Sequence, residues 1–301
     1  MHAKRGDARW LRLRAASPRA HSSLDRAGTG ARRIEHSTGY PCTRSPSEPC
    51  SSTYQATRTS TLTHLATSLY VAHLEPFFVK SLRRVIDRIG DDALREDVDR
   101  FSRQEAQHYQ RHIDFNKAVY AHGYPGLEQR VDRLKRDFEG FLADKDDRFR
   151  IGYIEGFESY TTQFALQILA SGLYDHRRTT RAIGNLFKWH MLEEVEHRNV
   201  AFDVYEHLFG GYLHRARMCW VSQNHMFRFI ADCVRLMSSV DVARHGQRCR
   251  ITMRQKTLVW TSRFGMRARS MLPGYTPHRY AIPPGIAALS AHFTALAQSI
   301  R

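Results

Sequence analysis

The chain has 301 residues, 42% of them hydrophobic, which is enough for one large domain with a real core or for two small ones. Its formal net charge of +16 suggests a nucleic-acid binder until the charge is located. Residues 1–60 carry 11 Lys+Arg against 4 Asp+Glu, and residues 211–301 carry 14 against 2. The segment 61–210 is then left with 21 basic and 24 acidic residues. The basic charge sits in the flanks, so no nucleic-acid partner is expected, and the flanks read as solvated surface. Cys42, Cys50, Cys219, Cys233 and Cys249 also fall in the flanks without CxxC spacing. That usage argues against a disulfide framework and fits a reducing cytoplasm. There is neither an apolar run of the roughly 20 residues that span a bilayer nor the apolar stretch of a secretory signal. A cytoplasmic location is the expectation.

In chain order, residues 1–60 are rich in Arg, Ser, Thr and Pro with no sustained periodicity. Too little apolar surface is available there to offset ordering entropy, so the segment is predicted to be a disordered basic extension. From Thr61 the texture becomes helical. A first helix is predicted over Leu62–Ile89, with Leu65, Leu69, Leu74 and Phe78 on one stripe and a kink at Pro76. Gly90-Asp91-Asp92 ends it, and an Asp there can cap the next helix. The second helix reaches Ala121, where His122-Gly123-Tyr124-Pro125-Gly126 breaks the chain. A connecting helix is predicted over Leu127–Ala143, a third long helix over Arg148–Ser171, and a fourth over Thr179–Phe209.

Four long helices with one long connection fit an all-α, ferritin-like four-helix bundle spanning residues 61–212. Residues 213–301 form a C-terminal helical extension, predicted to cover the bundle. It is bent near His245-Gly246, irregular from Leu272 to Gly285, and closed by a short helix to about Gln298.

Residues three or four apart share a helix face, so Glu-x-x-His presents a carboxylate beside an imidazole. The pattern occurs at Glu105/His108 and Glu194/His197. Thirteen Glu and seventeen His in 301 residues give about 0.7 such pairs by chance, so the two pairs alone prove little. Their placement says more. Each lies on a different predicted helix, and the other two helices supply Glu75 and Glu158. One Glu from each of two helices plus Glu-x-x-His from each of the other two is the ligand set of di-iron and di-manganese carboxylate proteins. The predicted site therefore holds two metal ions, iron first, with manganese or zinc as alternatives.

Glu155, one turn from Glu158, is a rival for the third-helix ligand. His190 lies within roughly 60° of Glu194 and His197 on the helical wheel. It is read either as a seventh ligand or as a core histidine beside Trp189. His112 follows His108 by one turn and is ranked as a supporting residue. Glu193 and Glu196 are read as surface ion pairs with Arg198 or Lys188. Asp114 and Asp203 are turned about 120° from their histidines and receive little weight. Tyr109, Tyr160 and Trp189 are read as packing around the site.

The runs Gln104-Glu105-Ala106-Gln107-His108, Glu158-Ser159-Tyr160-Thr161 and Trp189 to Arg198, with Met271-Leu272-Pro273-Gly274-Tyr275, resemble the bacterial family called predicted metal-dependent hydrolases. The ligand order also resembles the p-aminobenzoate N-oxygenases, di-iron enzymes in which a third His joins the site at the position of His190. The second resemblance implies dioxygen activation on a small organic substrate with an electron donor as partner; the first implies two-metal hydrolysis. A non-enzymatic metal or nucleic-acid binder is the third reading, and a homodimer is one assembly open to the chain.

Overall fold

The computed structural model describes residues 52–172, 174, 181–246, 253–282 and scattered positions to 291. Residues 1–51, most of the predicted disordered extension, lie outside the described residues, as do Cys42, Cys50, Cys249 and most of the predicted last helix. Among the described residues all regular structure is helical: α1 (Ser52–Arg83), α2 (Asp92–Ala121), α3 (Leu127–Asp144), α4 (Asp147–Ser171), α5 (Arg181–Glu196), α6 (Val200–Leu208), α7 (Tyr212–His245) and α8 (Met253–Ser270).

Three boundaries differ from expectation. Helix α1 starts at Ser52, inside the stretch read as disordered, because no Gly or Pro interrupts the chain between Pro49 and Pro76. It also stops at Arg83, and a 3-10 turn at Ile86–Arg88 tightens the exit. The predicted fourth helix is two helices, α5 and α6, interrupted at His197–Asn199. There the Val200 N–H donates to the His197 carbonyl at 3.0 Å in a tight i+3 bond. The guanidinium of Arg198 takes the carbonyl of Val195 at 2.8 Å, which the interrupted ladder would otherwise have used. The Glu194/His197 pair therefore straddles a helix end instead of sitting mid-helix.

The caps follow simple chemistry. The Asp91 carboxylate accepts from the N–H groups of Ala93 and Leu94, and that of Asp146 accepts from Phe149. Gly172, at φ 61°, ends α4 in the left-handed conformation that costs other residues most.

Helices α1, α2, α4 and the α5–α6 pair surround the buried polar cluster described below, while α7 lies along α4 and α1 and also touches α3. Helix α4 is central: from Arg150 to Gln163 every residue is buried. Two glycines let α7 approach it. A Cβ on Gly156 would stand 2.7 Å from the backbone N and Cα of Cys219, and one on Gly152 would stand 2.7 Å from the Met218 side chain. Backbone cannot step aside, whereas a methionine can. Gly156→Ala is thus expected to lower stability by on the order of 2 kcal/mol despite its better helix propensity, and Gly152→Ala by less. Thermal melts of the two variants check the order.

An aromatic layer between α1, α3, α4 and α7 anchors the outer face. The hydroxyls of Tyr70 and Tyr153 meet at 2.7 Å, and Tyr153 reaches Nδ1 of His225 at 2.6 Å. Nε2 of His225 lies 3.3 Å from Asp137. Cys219 and Cys233 are buried free thiols. Among the described residues no helix is long and apolar enough to cross a membrane.

Candidate metal centre

Four helices bring their polar residues to one place in the interior. Helix α1 contributes Glu75, α2 contributes Glu105 and His108, α4 contributes Glu158, and α5 contributes His190 and Glu194. His197 is the first residue after the end of α5. None of the seven side chains belongs to a residue more than 5% exposed. Such burial of four carboxylates is costly unless each is paired with opposite charge.

Single ligand atoms from Glu105, His108, Glu194 and His197 all lie within 4.8 Å of one another, as do atoms from Glu75, His108 and His190. The two groups share His108, so they adjoin. Nε2 of His197 is 3.2 Å from Oε1 of Glu105, and its Nδ1 is 3.6 Å from Oε2 of Glu158. Nε2 of His190 is 2.9 Å from Oε1 of Glu194 and 3.8 Å from Oε1 of Glu75. The rings of His108 and His190 stack at 4.1 Å. Phe101 packs against His197 and Trp189 against His108, each ring pair near perpendicular.

Many of these donor atoms are left without hydrogen-bond partners among the described residues. These include both carboxylate oxygens of Glu75 and of Glu158, Oε1 of Glu105, Oε2 of Glu194, Nδ1 of His108 and both ring nitrogens of His197. Buried polar atoms are ordinarily satisfied, and so many orphans aimed at one point need a common partner. A metal ion fits as that partner, because each of these atoms is a carboxylate oxygen or an imidazole nitrogen.

The electrostatics agree. Burial, reinforced by the Glu105 carboxylate, holds Glu75 well above the usual carboxylate range. Burial and the Glu194 carboxylate do the same to Glu158. Burial also opposes charge on Glu105 and Glu194, but their histidine neighbours outweigh it and hold both low. Four carboxylates in this space cannot all ionise unless a cation joins them.

The structure places the sequence's alternative candidates in different surroundings. Glu158 faces the cluster, while Glu155 turns to α7 and pairs with Arg215 at 3.1 Å. His190 lies inside the cluster, and its Nδ1 meets Nε2 of His112 at 2.7 Å. Asp114 is exposed and pairs with Lys117, and Asp203 meets His278 at 2.8 Å. Tyr160 packs against Phe164 and Phe227.

Glu193 corrects the sequence reading. It is no solvated surface ion pair: its Oε2 lies 2.6 Å from Nε2 of His108, and Gln104 steadies its other oxygen at 3.3 Å. A carboxylate only accepts, so in neutral His108 the proton sits on Nε2 and the Nδ1 lone pair faces the cluster. Burial depresses His108, but Glu105 and Glu193 together hold it well above the usual histidine range. Glu193→Ala is expected to weaken metal binding by about 10–100-fold without unfolding the protein, as loss of such outer partners does elsewhere. Competition with a chromophoric chelator measures it. Only a full helical-wheel placement of Glu193 against α2 could have found this residue, and the sequence does not supply that placement.

An all-helical bundle with a buried cluster of carboxylates and imidazoles able to hold metal defines the class. Residues 48–281 match the family described as "Predicted metal-dependent hydrolase", and the chain belongs to it. No curated protein and no solved structure matches the chain.

Proposed function

We propose that Glu75, Glu105, His108, Glu158, His190, Glu194 and His197 hold two divalent metal ions and that the protein is a two-metal hydrolase. The observation that carries this reading is the convergence of unpartnered carboxylate and imidazole atoms from four helices on one buried point. The family description supports the reaction type. Metal pairs of this kind supply an activated water at neutral pH and Lewis-acid polarisation of the oxygens of a scissile bond.

The protein's own residues have definable parts. Glu193 holds the His108 proton on Nε2 and so keeps Nδ1 directed inward. Glu75 and Glu158, whose carboxyls are pushed up by burial in the metal-free fold, would give up those protons on ligating the ions. Phe101 and Trp189 pack against the rings of His197 and His108 and steady them.

A second reading, dioxygen activation at a di-iron pair on a bundle of ferritin-like type, draws on one observation. The donor set is a Glu from each of α1 and α4 with Glu-x-x-His spanning α2 and α5, as in di-iron carboxylate proteins. A metal comparison separates the two. Protein carrying two zinc ions is expected to cleave members of a panel of carboxylic esters, amides and phosphoesters. A strict need for iron and reductant, with consumption of dioxygen, would overturn hydrolysis and leave the second reading. Metal content well below two per chain would sink both.

A further inference from the structure

Behind His190 stands a buried chain of polar residues from α1 and α2: Asn116, Ser68 and His112. All are 2% exposed or less. The direction of each hydrogen bond along this chain can be derived. The backbone carbonyl of Ser68 can only accept, and it lies 3.1 Å from Nδ2 of Asn116. That contact fixes the Asn116 amide with its Oδ1 toward the Ser68 hydroxyl, 2.8 Å away. An amide oxygen cannot donate, so the hydroxyl spends its one proton there. Oγ of Ser68 also lies 2.8 Å from Nδ1 of His112, and must accept from it. With its proton on Nδ1, neutral His112 has only a lone pair on Nε2. That lone pair sits 2.7 Å from Nδ1 of His190, which must therefore be the donor.

We propose that Asn116, Ser68 and His112 form a tautomer lock: they hold the His190 proton on Nδ1, so that the Nε2 lone pair is presented to the metal centre. His112 is the positioning residue and His190 the ligand. The inference rests on the two-metal reading above and adds to it the device that selects the ligating nitrogen. The geometry on the other side of the ring fits. Nε2 of His190 lies 2.9 Å from Oε1 of Glu194, a hydrogen bond that a cation held by both atoms would replace in the metal-loaded protein. The lock also mirrors the neighbouring imidazole with opposite polarity. Glu193 takes the Nε2 proton of His108 and exposes Nδ1, whereas His112 takes the Nδ1 proton of His190 and exposes Nε2. The stacked rings thus offer different nitrogens to the same cluster.

The test uses the full chain loaded with zinc, with metal affinity and imidazole 15N resonances as readouts. Long-range 1H–15N spectra of the wild type should show His190 with its proton on Nδ1 and zinc on Nε2. His112→Leu removes the acceptor and is expected to weaken zinc binding about 10–100-fold. In His112→Gln the side-chain carbonyl can accept from His190 while the amide donates to Ser68. It should recover affinity to within a few-fold of wild type. A purely structural role for His112 would move the melting temperature in both variants without this split. His190 protonated on Nε2, or His112→Leu binding zinc as tightly as wild type, would overturn the lock and leave the two-metal reading standing. Wild type that binds no zinc takes both down. If His112→Leu fails to fold, the wild-type spectra alone still decide.

Discussion

Protein stripped of metal with a chelator is expected to melt at least about 10 °C below the same protein with saturating zinc, iron(II) or manganese(II), and the gap should widen as pH rises. A ligand at a thousand times its Kd stabilises by about 4 kcal/mol per site, and a chain of this size gains roughly 2–4 °C per kcal/mol. The pH dependence follows from the carboxylates. Glu75 and Glu158 are raised above their ordinary value of 4.5, so in the metal-free fold they keep protons that the unfolded chain has already lost. Their contribution is full below that value and declines as pH climbs through their raised values. Glu105 and Glu194 are depressed and work the other way: their contribution is present above 4.5 and fades as pH falls through their lowered values. Metal-free protein should therefore be most stable in mildly acidic buffer. Cations replace the retained protons, so binding should release protons and tighten as pH rises. Calorimetric melts at a series of pH values, with and without metal, check both parts. A melting temperature that ignores saturating metal at pH 8 would count decisively against the centre.

How much of this was legible before folding depended on whether the information was local. Glu105 and His108 share a face by helical arithmetic, and His190, Glu194 and His197 converge for the same reason, so the sequence alone could group them. The all-helical class came from the same periodicity. What escaped was set by packing between elements. Glu193 is one residue from Glu194 and turned about 100° from it, and only the approach of α2 brings His108 to its carboxylate. Ser68 and Asn116 carry no motif, and they matter because α1 and α2 lie side by side. The interruption at His197–Asn199 was invisible because its compensation, the Arg198 guanidinium on the Val195 carbonyl, is a side-chain contact that no propensity scale contains. The start of α1 at Ser52 was missed because composition averaged over 60 residues hid a local stretch without helix breakers.

The other large effect separates the two buried glutamates of α4. Glu155 and Glu158 lie one turn apart and are equally hidden, yet they are expected to fail in opposite ways. Glu155 accepts from the Arg215 guanidinium at 3.1 Å and from the Cys219 thiol at 3.4 Å. Arg215 in turn donates to the carbonyls of Ser270 at 2.8 Å and Leu272 at 2.9 Å, tying the end of α8 to the bundle. Burial pushes the Glu155 carboxyl up to about 7, against the pull of Arg215. Glu155→Ala leaves that guanidinium buried with its charge unpaired, a change that costs about 3–5 kcal/mol, while the metal ligands stay in place. Its melting temperature should drop by roughly 10 °C with two metals still bound. Glu158→Ala removes a carboxylate with no hydrogen-bond partner and a raised pKa, so the metal-free fold should lose little. Its deficit should show instead as loss of at least one metal per chain and of activity. Metal analysis beside a thermal melt reads both variants together. If Glu155→Ala lost its metal while Glu158→Ala kept both ions, the α4 ligand would move one helical turn toward the N-terminus, and Arg215 would become a neighbour of the centre.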